Sequence, residues 1–273
     1  MPLSRFVLLS LVAIGLGASG PYARAADDRI TLTGSSTIAP LVAEIGKRFE
    51  ERNPAVRVDV QTGGSTRGVN DARSGLADIG MASRDLKEAE RDLLAFPIAR
   101  DGIGIILHRD NTVAALSDRQ VVAIFTGGIT DWSAVGGEAG PITVVNKAEG
   151  RSTLELFLSH FRIKASDIKA HVVIGDNQQG IKTVAGNRGA IGYVSIGTAE
   201  YEAGAGTPIR LLGMNGIEAS VANVRNGSFP LSRPLNLVTR STPEGRVRQF
   251  IDFARSPAVH DIIQEQFFVP AGP

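Results

Sequence analysis

Beyond the first twenty-five residues, short runs rich in β-branched residues alternate with segments of helical period. Residues 30–33 read as a strand, after which Leu41, Val42, Ile45 and Phe49 fall on one helical stripe that Asn53-Pro54 ends. Val56, Val58 and Val60 alternate with Arg57 and Asp59, so a half-buried strand runs into Gly63-Gly64, and a helix is predicted from Ser65 or Thr66. Residues 102–108 form a continuous apolar strand. Ser117-Asp-Arg-Gln120 is a capping box opening a helix that Gly127-Gly128 stops. Further strands are predicted at 142–145, 190–194 and 235–239, and further helices at 152–161, at 181–185 and after Pro243. This alternation predicts an α/β fold with mostly parallel sheets.

Composition narrows the function classes. The 273 residues suffice for two cores, since single cores stop growing at roughly 250 to 300 residues. The absence of cysteine removes thiol catalysis, zinc-thiolate sites and lipid attachment through an N-terminal cysteine, so the chain is not expected to be a lipoprotein. A net charge of +1 argues against nucleic acid as a partner. Arg5, an apolar run over 6–18 and Ala23-Arg24-Ala25 have the form of a signal peptide (residues 1–25) cut after Ala25; the run is shorter than the roughly 20 residues of a membrane span. Its removal takes away Arg5 and Arg24 and leaves 27 basic against 28 acidic residues in an exported, periplasmic chain. No low-complexity linker divides what remains, which suggests two lobes between which the chain crosses more than once.

The four histidines lack metal-ligand spacing, no nucleotide or nucleophile-elbow motif stands in context, and no metal, cofactor or catalytic residue is expected. What remains is a set of hydroxyl-rich and glycine-rich turns, each between a predicted strand and a predicted helix: Gly34-Ser-Ser-Thr-Ile38, Gly63-Gly-Ser-Thr-Arg-Gly68 and Glu149-Gly-Arg-Ser-Thr153. Free N–H groups and the positive end of a helix dipole meet there, and hydroxyls add donors, so an oxyanion is the natural ligand. Any one such turn could be only an N-cap; three in one chain favour binding. Arg67, Arg84, Lys147 and Arg151 place fixed positive charge beside them.

With these turns, Asp78 to Arg84, Asp101-Gly-Ile-Gly, Ile124-Phe-Thr-Gly, Ile129-Thr-Asp-Trp132, Gly189-Ala-Ile-Gly-Tyr193 and Phe229-Pro-Leu-Ser-Arg-Pro-Leu235 cover nearly the whole mature chain. Together they resemble the periplasmic phosphate-binding proteins of high-affinity phosphate ABC transporters, within the type II solute-binding fold. The resemblance implies a two-lobed α/β architecture, each lobe a mostly parallel sheet flanked by helices, joined by a hinge and closing on a dehydrated anion. By analogy, 26–104 plus 197–273 form one lobe and 105–196 the other.

Carried over residue by residue, the family's site implies Ser36, Thr37 and the N–H of Ile38 from the first turn and Ser65 from the second. The family's Arg-x-x-Gly-Ser-Gly-Thr pattern reads here Lys147-Ala-Glu-Gly150-Arg-Ser-Thr153. The cation has shifted within the loop, and Lys147, Arg151, Ser152 and Thr153 are the candidates there. Arg84 stands where some members carry an aspartate that accepts the proton of hydrogen phosphate. Its presence leaves sulfate, molybdate or tungstate open as alternative ligands. The expected partners are inorganic phosphate or a related oxyanion and an inner-membrane ABC permease, served by a monomer. An anion-sensing or adhesion module without a transporter is the alternative of a different class, and a secreted hydrolase the third.

Overall fold

In the computed structural model, which describes residues 28–272, Ile30 and Leu32 give β1 (Asp28–Gly34) a buried face. Over it packs α1 (Ala39–Arg52), with Leu41, Val42, Ile45 and Phe49 on its inner stripe. The predicted signal peptide lies outside the described residues. There follow β2 (Val56–Thr62), α2 (Ser65–Ser74), β3 (Ile79–Ala82), β4 (Leu94–His108), α3 (Asp118–Phe125), β5 (Thr143–Lys147), α4 (Ser152–Phe161), β6 (Val172–Ile174) and α5 (Asn177–Ala185). The chain ends with β7 (Ala190–Ser195), α6 (Ile196–Gly204), β8 (Ile209–Leu212), α7 (Val221–Arg225), β9 (Ser232–Thr239), α8 (Gly245–Ala254), α9 (His260–Glu265) and β10 (Val269–Pro270).

The strands run in the order β2-β1-β3-β9-β4-β7-β5-β6, with β8 and β10 also on β4. The outer pairs β1–β2, β1–β3, β5–β6 and β5–β7 are parallel, as expected of strand-helix alternation. The inner strands are not: β9 runs antiparallel to β3 and β4, and β4 antiparallel to β7 and β8. β4 begins eight residues before the apolar run at 102–108, because its first part pairs with β9 over a bulge between Pro97 and Ala99. From Ile103 its partners are β7 and then β8. One continuous strand thus belongs to both halves.

Each half has its own core. In the first, Leu32, Leu41, Ile45, Phe49, Leu237 and Phe250 interlock. In the second, Phe157 stacks on Tyr193 with ring centroids 4.0 Å apart, and Phe125 and Leu107 close around them. The change of core along β4 falls at Gly102–Ile103. The segment after Ile196 continues the contacts of the second half. β8 pairs with β4, and Leu212, Met214, Val224, Phe229 and Leu231 all bury in the second core. The chain therefore stays with that half until Leu231 and returns at Ser232, where β9 meets Gly102. Among the described residues no helix is long and apolar enough to cross a membrane.

α2 lies unusually close to the sheet because Gly68 faces Gly34. A Cβ on Gly68 would stand 2.5 Å from the Thr33 carbonyl oxygen and 2.8 Å from the Gly34 Cα, backbone that cannot yield as a flexible side chain would. This approach brings Ser65, at the start of α2, to the level of the strand ends. Gly68→Ala is expected to lower stability by about 1–3 kcal/mol, as overpacking does. Gly140→Ala, with open space around it, should stay within about 0.5 kcal/mol of the parent in the same urea-unfolding measurement.

Candidate functional site

Four of the buried polar residues at the junction of the halves are hydroxyl residues from three separate segments, and one guanidinium ties them together. Arg233, on β9, has a side chain only 1% exposed. Its Nη1 donates to Ser83 Oγ (3.3 Å), Ser152 Oγ (3.4 Å) and Thr153 Oγ1 (3.1 Å), and its Nη2 to Thr37 Oγ1 (3.3 Å). Thr37 and Ser83 belong to the first half; Ser152 and Thr153 open α4 in the second. Charge balance comes from Asp101 on β4, whose Oδ2 accepts from Nη2 at 2.8 Å and from Nε at 3.2 Å. The other oxygen of Asp101 accepts from Ser195 Oγ and the Gly197 N–H. With both partners buried, the pair depends on this full satisfaction of its polar atoms.

The hydroxyls also reach one another. Ser35 Oγ donates to Ser83 Oγ at 2.9 Å, Ser83 N–H donates to Ser65 Oγ at 3.1 Å, and the Ser83 and Ser152 oxygens lie 2.6 Å apart across the two halves. Asn177, the first residue of α5, donates through Nδ2 to Thr37 Oγ1 and accepts from Lys147 Nζ through Oδ1 at 3.1 Å. Lys147 is 3% exposed at the end of β5. Burial pushes its ammonium down to about 7; Asp176 pulls it back, while Arg233 and Arg151 lower it further. Burial likewise raises the Tyr193 phenol, which lies against the Lys147 N–H.

Thr37, Ser65, Lys147, Ser152 and Thr153 of the sequence-derived candidates therefore meet in one buried cluster. The remainder lie around it. Ser36 is half-buried on the wall of an adjoining cleft of about 830 Å³ that Thr37 and Asn177 floor. The Ile38 N–H donates to Ser35 Oγ at 3.4 Å. Arg151 is half-buried and runs along the backbone at Gly64 of the opposite half. Arg67 is turned outward onto Asp71.

Arg84 does not join the hydroxyl cluster. Its two Nη atoms grip Glu90 at 2.7 and 2.9 Å, and its Nε pairs with Glu155 at 2.8 Å. Burial opposes the charge on Glu90, but the Arg84 fork, the Lys87 N–H and the two positive charges together outweigh it and hold that carboxyl below the usual range. Glu155, on α4, also accepts from Thr66 Oγ1 at 2.9 Å and pairs with Lys87 at 3.1 Å. One carboxylate of the second half thus fastens three residues of the first. Nearby the Thr66 N–H donates to the Gly150 carbonyl, and a Cβ on Gly64 would stand 2.6 Å from that oxygen. Glycine at 64, with φ at +95°, is what lets the loops touch.

The residue-by-residue carry-over passes over Ser35 in the first turn, and the turns do not contain Arg233, Asp101, Ser83 or Asn177. A signal for Arg233 and Asp101 exists: Arg233 keeps the apolar phase of Leu231, Leu235 and Leu237 along its strand, and Asp101 that of Ala99 and Ile103. A charge at a core phase must find a buried partner. Among the described residues no group of His, Asp or Glu is placed to hold a metal ion.

A PBP superfamily domain matches residues 20–258. The chain belongs to the PBP superfamily. It is similar to a candidate phosphate ABC transporter substrate-binding protein from Clostridium perfringens, solved with bound phosphate: identity is 31%, TM-score 0.82, with 89% of this chain and 100% of that one covered. An ABC-type phosphate transport receptor from Vibrio cholerae shares 28% identity at TM-score 0.74, over 89% of this chain and all of its own. The phosphate-binding protein PstS of Bacillus subtilis is 27% identical over 90% of this chain and 81% of its own length. All three of these relatives are named for phosphate binding or phosphate transport, two of them as ABC-type.

Asp101→Leu, which strands the Arg233 charge, should cost about 3–5 kcal/mol of stability. Adding Arg233→Met should recover most of that loss, both read as shifts in urea-unfolding free energy.

Proposed function

We propose that this protein captures inorganic phosphate between its two lobes in the periplasm, after cleavage of the signal peptide at Ala25, and delivers it to an inner-membrane ABC permease. The observation that carries the reading is the Arg233 guanidinium, which gathers hydroxyls from both halves into one buried donor set. A tetrahedral oxyanion offers acceptors in the directions such a set requires. Because donors come from both lobes, bound anion stabilises the closed form through contacts that an open form cannot make.

Thr37, Ser65, Ser83, Ser152, Thr153 and Arg233 are assigned to the anion, with Lys147 and Arg151 supplying further positive charge. Ser36 and Ile38 shape the first turn, and Arg84 is a strut between the lobes. The lobes are assigned as 28–102 with 232–272, and 103–231. The reading is binding and not hydrolysis: the hydrogen-bond partners of Ser152 Oγ are Ser83 and Arg233, neither a base that would make it a nucleophile.

Isothermal titration of the mature chain with phosphate, sulfate, molybdate and tungstate tests the assignment. Phosphate should bind most tightly, with Kd below about 100 μM. Ser83→Ala and Thr153→Ala should each weaken it by about 1.5–3 kcal/mol, the range of hydrogen bonds to charged groups, or roughly ten- to hundredfold in Kd. Tight binding of another oxyanion with none of phosphate would replace the ligand. Wild-type affinity in both variants would displace the site.

A further inference from the structure

Lys147 differs from the other buried cations of this molecule in having no anion of its own. Arg233 is neutralised by Asp101 and Arg84 by Glu90 and Glu155. The Lys147 ammonium donates only to the neutral Asn177 Oδ1, and among the described residues no carboxylate lies within ion-pairing distance of it. The charged or titratable groups facing it are few. From the start of α4 comes Arg151, from β9 Arg233, from β7 the Tyr193 phenol, and from the N-cap of α5 Asp176. Asp176 acts at longer range, and its Oδ1 already accepts the Gln179 N–H. Glu149, on the same loop, is exposed.

A buried ammonium among two guanidinium groups and one distant carboxylate is poorly supported until a counter-charge arrives. We infer that Lys147 couples anion capture to proton uptake, shedding its proton readily in the ligand-free site and regaining it when the anion enters. The inference rests on the phosphate-capture reading and deepens it. The lysine's ordinary value is lowered to about 7 by burial, so above that pH the free protein carries neutral Lys147. A bound dianion beside Nζ favours the ammonium and raises the value again. Protons are therefore taken up on binding above about pH 7, and affinity falls as pH rises through that window.

The coupling accounts for a chemical choice within the loop. An arginine would stay charged at every relevant pH and would bind without proton exchange, whereas a lysine can titrate when buried.

The test is calorimetry of inorganic phosphate binding to the mature chain at about pH 8, in buffers of different ionisation enthalpy, for wild type and Lys147→Arg. Phosphate's own ionisation is common to both proteins, so their difference reports the lysine. Wild type should take up roughly 0.9 proton more than the variant, and its affinity should fall about tenfold from pH 8 to 9 while that of the variant stays flat. Equal proton uptake in the two, with phosphate bound, overturns the inference and leaves the phosphate reading standing.

A second measurement needs no ligand. In protein labelled with nitrogen-15 at lysine, one Nζ should titrate near neutrality and be missing from Lys147→Met. If Lys147 titrates with the exposed lysines near about 10, the inference fails whatever the protein binds. Failure of phosphate to bind wild type would overturn the phosphate reading, and the nitrogen-15 titration would still decide the lysine.

Discussion

The Arg233–Asp101 pair is the constraint around which the junction of the two lobes is arranged. A guanidinium withdrawn from water must have each donor occupied, and a carboxylate beside it satisfies only part of the fork. The remaining donors fall on Thr37, Ser83 and the Ser152-Thr153 pair, which arrive on three separate segments. Every one of those segments has to end at the same level, so the close approach of α2 to the sheet at Gly34 and Gly68 and the placement of α4 after β5 serve one geometry. Packing in the two cores sets the position of the strands. The buried charge sets where their ends must converge.

Contact between the lobes has two layers with different chemistry. Inside, short hydroxyl contacts such as Ser83 to Ser152 are adaptable, because a hydroxyl rotates to suit its partner. At the edge, Glu155 is held by Arg84, Lys87 and Thr66, a charged fastening that fixes how α4 sits on the opposite lobe. A rigid rim around a soft interior suits a site that exchanges its own hydrogen bonds for those of a ligand. It also explains why Arg84 is a strut: its fork is matched to the planar Glu90 carboxylate only six residues away.

The turns were legible because strand-to-helix junctions carry their chemistry in consecutive residues, and Ser65, Ser152 and Thr153 come together as their position in those turns suggests. Arg233 and Asp101 sit within strands, where motifs shared with the family include them but only a charge at an apolar phase points to a buried pair. The pairing of Arg84 with Glu90 passes through an irregular turn that no spacing rule anticipates. The α/β alternation was readable for the outer strands, whose parallel neighbours follow from short crossovers. β4 and β9 were not placed, since their pairing joins segments more than a hundred residues apart. The short β8, with four residues, left the return of the chain to the first lobe invisible.

β9 has one more consequence, which concerns the order in which the molecule can be built. It lies between β3 and β4, so the first lobe's sheet has a gap until residues 232–239 arrive. The second lobe, from Ile103 to Leu231, contains all its own strands and closes earlier. For a chain emerging N-terminus first, the lobe that begins the sequence is the last to be completed. Since the inserting strand carries Arg233, the guanidinium that gathers hydroxyls from both halves arrives only after the strands of the second lobe are all present. Chains that have not yet inserted β9 therefore lack the central donor of that buried cluster.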